Sequence, residues 1–284
     1  MDTKALINDV PKQLFVDGAW RDAEGGKTLE VTNPATGEVL ARVADASPAD
    51  GDAALAAAHA AQASWAATTP RERSELLRKA FELLIERTDD FAALMTLEMG
   101  KPFAEAKGEV AYGAEYFRWF AEEAVRINGT YLPAPAGGSR LLTMKQPVGP
   151  CLMITPWNFP LAMGTRKIGP ALAAGCTMVI KPAAETPLTM LALVALLEEV
   201  GVPKGVVNVV TTSDSGGVME PLIRDPRARK LTFTGSTVAR PTTPGTCAGR
   251  VRCACCAGPG TRRRPWTSPG SPGSRPWARS ARSC

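Results

Sequence analysis

The first candidate for chemistry is a polar loop at residues 155–160, which follows a short apolar run. The loop consists of Thr155, Pro156, Trp157, Asn158, Phe159 and Pro160. Its two prolines stiffen the backbone and restrict the direction in which the Asn158 side chain can point. A carboxamide N–H fixed in this way can stabilise an oxyanion that develops during a reaction. Asparagine also caps helices, so the residues alone leave a catalytic and a capping role open for Asn158.

A second polar loop, residues 181–187, follows the next apolar run. It consists of Lys181, Pro182, Ala183, Ala184, Glu185, Thr186 and Pro187. A lysine held by prolines at the carboxyl end of a strand suits an anionic or polyhydroxyl ligand, such as a phosphate or a ribose. The alternative for Lys181 is a solvated surface lysine, and the loop by itself does not separate the two interpretations.

A third loop, residues 233–237, combines a glycine with hydroxyl side chains. It consists of Phe233, Thr234, Gly235, Ser236 and Thr237. A glycine lets the backbone approach a diphosphate closely, and serine and threonine add hydrogen-bond donors. Many surface turns share this composition, so the third loop gains weight only from its position relative to the other two.

The elements around the loops predict how the three loops can meet. Four apolar runs have the length of buried strands, and three helix-like stretches separate them. The runs cover 151–155, 178–181, 206–210 and 230–234, and the helix-like stretches cover 161–174, 187–200 and 215–223. This alternation predicts an α/β fold with a parallel sheet. Ligands of such sheets bind where the carboxyl ends of the strands share an edge, so we expect the three loops to lie side by side.

The N-terminal part of the sequence predicts a hairpin followed by helices. The segment 14–20 indicates two short strands around an Asp-Gly turn. Ser47 and Thr69 each precede a proline and stand three residues before an acidic side chain, which is typical of a helix N-terminus. Residues 141–148 then predict a strand that leaves a loop rich in glycine and proline.

Charge and cysteine content differ on the two sides of residue 240. Residues 1–240 carry 25 Lys and Arg against 28 Asp and Glu, whereas residues 241–284 carry eight Arg and no other charged side chain. The net charge of +5 therefore gives no reason to expect nucleic-acid binding. Only Cys151 and Cys176 precede residue 240, and no apolar run reaches the length of a membrane span. These features predict a cytoplasmic globular body with neither nucleic acid nor membrane as partner.

Residues 241–284 lack the composition of a folded segment. They contain seven Pro, six Gly and no Leu, Ile, Met or Phe, so we expect them to be disordered. Such a restricted set of residue types is typical of a GC-rich gene read out of frame, and we hypothesise that the frame is lost just after Thr237. A natural Arg-rich linker is the alternative. The cysteines at 253, 255 and 256 lack a second ligand pair, so no metal site is predicted.

Together, the three loops resemble the P-W-N-F-P, K-P-A-x-x-T-P and F-T-G-S-T signatures of the aldehyde dehydrogenase superfamily. The resemblance extends from about residue 12 to Thr237. The stretches 96–102, 104–109 and 165–167 make the chain similar to the bacterial NAD(P)-dependent succinate-semialdehyde dehydrogenase branch. The resemblance implies a Rossmann-like parallel sheet in an NAD(P)-binding domain formed by residues 1–126 and 147–240. It also implies an oligomerisation hairpin at 127–146 and a homo-oligomer in intact members.

The resemblance also implies a role for each loop. Asn158 would help to bind the oxyanion of the substrate adduct and, with Trp157, would border the nicotinamide end of the cofactor. Lys181 would bind the adenosine ribose, and Gly235 and Ser236 would contact the diphosphate. The full set of cofactor-binding residues that it implies is Thr155, Pro156, Trp157, Asn158, Lys181, Pro182, Ala183, Ala184, Gly235 and Ser236.

Two positions bear on cofactor and substrate preference. Members that prefer NAD often carry a glutamate three residues after the lysine, and Ala184 stands at that position here. A 2′-phosphate would meet no carboxylate there, so we expect NADP to be accepted at least as well as NAD. Arg166 matches an arginine that reaches the carboxylate of a semialdehyde substrate, since the far end of that small aldehyde is anionic. A helix-surface ion pair is the alternative role for Arg166.

The chain also departs from the family pattern. The family's nucleophile lies in a Gly-Gln-x-Cys stretch and its general base in a Glu-Leu-Gly-Gly stretch, and neither occurs in the 284 residues. Cys151 and Cys176 are expected to be inert buried thiols. Pro241 and Pro244 oppose the helix that the family starts after the third loop. We therefore expect a truncated, frameshifted chain without the catalytic domain and without activity, or else a non-catalytic dinucleotide-binding remnant that pairs with intact subunits.

Overall fold

The computed structural model describes residues 3–235 and the backbone of residues 252 and 253. Ser236 and nearly all of the predicted tail lie outside the described residues. The helices are α1 Thr3–Asp9, α2 Pro48–Ala67, α3 Pro70–Glu86, α4 Thr88–Met99, α5 Phe103–Ala124, α6 Ala162–Ala173, α7 Leu188–Glu199 and α8 Ser215–Arg224. The strands are β1 Leu14–Val16, β2 Ala19–Arg21, β3 Thr28–Thr32, β4 Val39–Ala44, β5 Thr130–Pro133, β6 Arg140–Thr143, β7 Cys151–Ile154, β8 Met178–Lys181, β9 Val207–Val209, β10 Lys230–Phe233 and β11 Arg252–Cys253.

Seven strands form one sheet in the order β11-β10-β7-β8-β9-β1-β2. Strands β10, β7, β8 and β9 run parallel, whereas β1 pairs antiparallel with both β9 and β2. The predicted α/β class and parallel sheet are confirmed. Strands β7 to β10 and helices α6 to α8 begin and end within one residue of the limits that the apolar runs predicted.

Helices cover both faces of this sheet. Because side chains alternate along a strand, Leu152 and Ile154 of β7 pack against α2 and α8, while Cys151 and Met153 face α3 to α7. Burial on both faces explains why the central strands read as continuous apolar runs rather than as alternating patterns. The same arrangement leaves only the strand ends free to carry polar loops.

Local signals in the N-terminal part are confirmed. The turn between β1 and β2 holds Asp17 and Gly18 at positive φ, as an Asp-Gly hairpin turn requires. Ser47 and Thr69 both form complete capping boxes, with Asp50 and Glu72 respectively. These bonds fix where α2 and α3 begin, and the buried stripe of α3 then packs on α5.

The segment 127–146 forms a separate two-stranded hairpin of β5 and β6, in which every residue of both strands is exposed. The predicted strand at 141–148 is wrong in its extent, because β6 covers Arg140–Thr143 and residues 144–150 have no regular structure. Pro147 and Pro150 lack the backbone N–H that a longer strand needs. Among the described residues, no helix is both long and apolar enough to cross a membrane.

Candidate functional site

The three predicted loops leave the sheet at one edge. Phe233, Ile154 and Lys181 are register partners at the carboxyl ends of β10, β7 and β8. The backbone N–H of Thr155 donates to the carbonyl of Lys181 (3.2 Å), and that of Thr234 donates to the carbonyl of Ile154 (3.1 Å). The expected side-by-side arrangement of the loops is confirmed, and it follows from the parallel register of three neighbouring strands.

Lys181 occupies the end of β8 and is only 5% exposed. Burial lowers the pKa of its ammonium, and the nearby charge of Glu185 opposes that shift. No described residue, Glu185 included, forms an ion pair or a hydrogen bond with the Lys181 ammonium. A buried cation without a carboxylate or carbonyl partner is costly unless a ligand supplies acceptors, and this differs from the solvated surface lysine that the sequence left open.

The loop at 155–160 presents its central side chains to solvent. Thr155 is buried at the end of the strand and Pro156 is half-buried, whereas Trp157 and Asn158 are exposed. Helix α6 begins only at Ala162, and Asn158 does not cap it. The capping interpretation of Asn158 is therefore wrong, and its carboxamide stays available at the edge.

Two buried charged residues that are remote in sequence contact this loop from the protein interior. The ammonium of Lys101 pairs with the carboxylate of Glu109, and both side chains are buried. Lys101 also donates to the backbone carbonyl of Asn158 (3.2 Å) and lies 4.0 Å from the centre of the Phe159 ring. Glu109 in turn accepts from the backbone N–H of Leu161 (3.0 Å) and Ala162 (3.1 Å), which satisfies donors at the start of α6.

A third buried charged residue, Glu98, holds the residues directly after the loop at 181–187. The Glu98 carboxylate accepts from the backbone N–H of Leu188 (2.8 Å) and Thr189 (2.9 Å), and the Thr189 hydroxyl bonds to it as well. Burial raises the pKa of Glu98 to about 7, although these hydrogen bonds oppose the shift. Glu98 therefore anchors the beginning of α7, directly after the loop that contains Lys181.

Sequence reasoning missed the functional position of Glu98, Lys101 and Glu109. All three lie in the stretches 96–102 and 104–109 that carried part of the family resemblance. The resemblance was the one signal that could have found them, since a charged residue near a helix end is normally solvated. The burial of Lys101 and Glu109 depends on α5 packing against α6, and that of Glu98 depends on α4 packing against α7.

Arg166 is separated from the other predicted residues. It is exposed on α6 and lines a cavity of about 500 Å³ between α6 and strands β7 and β10, together with Lys167, Lys230 and Thr234. None of the predicted cofactor-binding residues up to Gly235, where the described part of the chain ends, lines this cavity. Within the described part of the chain, Arg166 forms no ion pair with a carboxylate, so the helix-surface pair left open by the sequence is not observed.

Lys167, the neighbour of Arg166, contributes a second cation to this cavity. Its ammonium donates to the hydroxyls of Thr232 (3.0 Å) and Thr234 (2.8 Å) rather than to a carboxylate. Burial and, to a smaller extent, the charge of Arg166 lower the pKa of Lys167 to about 8. The cavity can therefore accept an anionic group without displacing an internal counter-ion.

Both cysteines of the body, Cys151 and Cys176, are free and buried, as predicted. The interaction between the two thiols raises the pKa of Cys151 and lowers that of Cys176, and burial opposes the shift at Cys176. Both side chains lie in the protein interior, and the predicted inertness of these thiols stays a prediction.

The remaining predicted positions lie in the second and third loops. Pro182 and Ala183 are buried, and Ala184 is half-buried beside the exposed Glu185. Gly235 is exposed, and a Cβ atom there would lie 2.9 Å from the Phe233 ring. Gly235 therefore has a local packing reason to be glycine, in addition to the predicted approach of a diphosphate.

Comparison with known proteins settles the family. Residues 20–248 match the model of the aldehyde dehydrogenase family. The chain belongs to this family. It is 60% identical over 199 residues to a succinate-semialdehyde dehydrogenase of Paenarthrobacter nicotinovorans, a match that covers 70% of this chain and 44% of the relative. It is 54% identical over 226 residues to a glutarate-semialdehyde dehydrogenase of Pseudomonas aeruginosa, covering 80% and 47%.

Solved aldehyde dehydrogenase structures share the fold. An NADP-dependent enzyme of E. coli superposes with a TM-score of 0.79 at 51% identity, covering 81% of this chain and 48% of the other. A betaine aldehyde dehydrogenase of Staphylococcus aureus in complex with NAD+ gives 0.80 at 31% identity, covering 83% and 47%. The chain spans about half the length of the curated relatives that it matches.

Proposed function

We propose that residues 1–126 and 147–240 form the cofactor-binding part of an NAD(P)-dependent aldehyde dehydrogenase. The observation that carries this proposal is the buried Lys181, which forms no ion pair with any described residue and lies at the edge where the three loops meet. A dinucleotide bound there would supply the hydride acceptor for aldehyde oxidation. The names of the relatives and of the solved structures support both NADP and NAD as cofactors.

The edge offers donors for each section of a dinucleotide. Lys181 would hold the adenosine ribose, with Pro182, Ala183 and Ala184 lining its surroundings. Gly235 and Ser236 would contact the diphosphate through the backbone and a hydroxyl. Thr155, Pro156, Trp157 and Asn158 would border the nicotinamide end, since they occupy the neighbouring strand end. Ala184 presents no carboxylate to a 2′-phosphate, which favours NADP at least as much as NAD.

The substrate that we propose is succinate semialdehyde, a small aldehyde that ends in a carboxylate. The exposed guanidinium of Arg166 has no internal carboxylate partner among the described residues, and Lys167 adds a second cation to the same cavity. Such a pair suits an anionic group. Glutarate semialdehyde, named for one relative, differs by one methylene and carries the same charge. Asn158 would donate its carboxamide N–H to the oxyanion of the reacting aldehyde.

The 284-residue chain binds the cofactor without oxidising the aldehyde under this proposal. Aldehyde oxidation requires a thiolate that attacks the carbonyl and a base that activates water, and the chain contains neither family stretch. The alternative function is that of a non-catalytic partner of intact subunits. Its support is the hairpin at 127–146, which exposes Tyr131 and Leu142 at 67% each. Both functions suit a cytoplasmic protein, since the two cysteines of the body are free.

Isothermal titration of the full chain with NADP tests the proposal. Lys181→Ala removes a charge-assisted hydrogen bond and should weaken binding about 10- to 100-fold. Lys79→Ala, which removes an exposed lysine on α3, is the matched control and should leave binding unchanged. Equal affinity of the parent and Lys181→Ala would contradict the assignment of Lys181 to the cofactor.

A further inference from the structure

We infer that Lys101 and Glu109 are positioning residues, which hold the 155–160 loop in the conformation that presents Trp157 and Asn158. The side chains at the centre of the loop contribute little packing of their own, because Trp157, Asn158 and Phe159 are all exposed. The support of the loop comes from a buried ion pair between Lys101, which precedes α5, and Glu109 on α5. The pair contacts the middle of the loop and the two residues directly after it. The inference on the loop conformation is independent of the proposed function, whereas its effect on the nicotinamide end rests on that function.

The first contact fixes the middle of the loop. The Lys101 ammonium donates to the carbonyl of Asn158 (3.2 Å) and lies against the Phe159 ring, 4.0 Å from its centre. The Lys101 ammonium thus contacts both an aromatic ring and a carbonyl oxygen. These two contacts constrain two successive residues, Asn158 and Phe159. The peptide plane after Asn158 is therefore held from the protein side, and the Asn158 side chain leaves on the solvent side.

The second contact fixes the end of the loop. One oxygen of the Glu109 carboxylate accepts from the backbone N–H of both Leu161 and Ala162, and the other oxygen pairs with Lys101. The start of α6 and the middle of the loop are thus joined through one ion pair. A buried ion pair contributes little net stability to a fold. The effect of the Lys101–Glu109 pair is therefore on the conformation of the loop.

Hydrogen exchange measured by mass spectrometry tests the inference on the full chain. The double variant Lys101→Met/Glu109→Met removes both charges and the carboxylate that accepts from Leu161 and Ala162. We expect the amides of Leu161 and Ala162 to exchange about tenfold faster or more, while amides of β8 and β9 keep their protection. The matched control is Lys107→Met/Asp89→Asn, which removes an exposed ion pair that joins the same two helices. Lys101→Arg retains a cation beside Glu109 and should restore most of the protection.

Unchanged exchange at Leu161 and Ala162 in the double variant would overturn the inference, as would equal acceleration at these residues and in β8. If the double variant fails to fold, Phe159→Leu decides instead, because Phe159 is exposed and its replacement costs the fold little. Phe159→Leu removes the ring beneath which Lys101 lies and should accelerate exchange of the Leu161 and Ala162 amides to a smaller extent. No acceleration in that variant would equally overturn the inference.

A ligand measurement separates positioning from general damage. In the double variant, NADP should bind several-fold more weakly, whereas adenosine 2′,5′-bisphosphate should bind as it does to the parent, because it lacks the nicotinamide end. Equal weakening of both ligands would show a general structural effect and overturn the inference. If the parent binds neither ligand, the proposed function fails, and the exchange measurement alone decides on Lys101 and Glu109.

Discussion

The backbone N–H of Thr155 donates to the carbonyl of Lys181 across neighbouring parallel strands, at 3.2 Å. This single bond joins the loop that presents Asn158 to the residue that we assign to the adenosine ribose. A ligand that contacts both must lie across the ends of β7 and β8, which is where dinucleotides bind in folds of this class. The predictions below test what each side of this junction does.

Replacing Ala184 should alter cofactor preference. In Ala184→Glu, a carboxylate would face the 2′-phosphate of NADP, and like charges at close range cost several kcal/mol, so the ratio of NADP to NAD affinity should fall by about tenfold or more. Isothermal titration with both cofactors measures the ratio. Glu185→Ala is the control, because Glu185 is exposed and one position further along. If the ratio of NADP to NAD affinity changed in Glu185→Ala and not in Ala184→Glu, position 185 rather than position 184 would face the 2′-phosphate.

The purified chain should not oxidise succinate semialdehyde. NADPH formation at saturating substrate is the measurement. The expected rate is that of the buffer alone, because the chain lacks the family's nucleophile stretch and therefore the thiolate that it supplies. Cys151→Ala and Cys176→Ala serve as controls for the two buried thiols. Turnover by the parent that disappears in Cys176→Ala would instead identify Cys176, whose pKa is lowered, as a working nucleophile.

The stability of the fold should depend on pH through Glu98. Its pKa in the folded protein is about 7, above the ordinary value of 4.5, so the folded state binds the proton more tightly than the unfolded state does. The free energy of unfolding should therefore fall as pH rises from about 4.5 to about 7, by about 2–4 kcal/mol from this group. Glu98→Gln should remove that part of the pH dependence.

Urea unfolding at several pH values measures this contribution as the difference between parent and variant. The neighbouring carboxylate of Glu109 also faces Glu98 and stays in both proteins, so it cancels to a first approximation. Glu105→Gln on the exposed side of α5 is the matched control and should leave the pH profile of the parent intact. Identical profiles for the parent and Glu98→Gln would show that burial does not raise this pKa.

The hairpin at 127–146 should mediate self-association. Tyr131 and Leu142 are cross-strand partners, each 67% exposed, on a hairpin whose strands contact no other sheet. Sedimentation velocity at several concentrations should show association by the parent and a shift toward monomer in Leu142→Arg, since a charge opposes burial of this apolar pair. Ala35→Arg on an exposed turn is the control. A parent that stays monomeric at all concentrations would contradict the proposed role.

Local chemistry in the sequence determined the elements and the three loops of this protein. The run at 178–181 predicted β8 to the residue, and Ser47 and Thr69 predicted the starts of α2 and α3. These signals depend on residues within one turn or one strand of each other, so they can be read without knowing the fold. The alternation of strands and helices then predicted that the three loops share one edge of the sheet, because parallel strands place their carboxyl ends together.

Tertiary packing decided which charges are buried and what they hold. In the sequence, Glu98, Lys101 and Glu109 resemble ordinary charged positions near helix ends, and Arg166 appears in the same site as Asn158. The contact of α4 with α7 buries Glu98, and the contact of α5 with α6 buries Lys101 and Glu109 against a loop about fifty residues away. Arg166 lines a separate cavity. Burial is a property of surfaces that meet only after the chain folds, so no local pattern determines it.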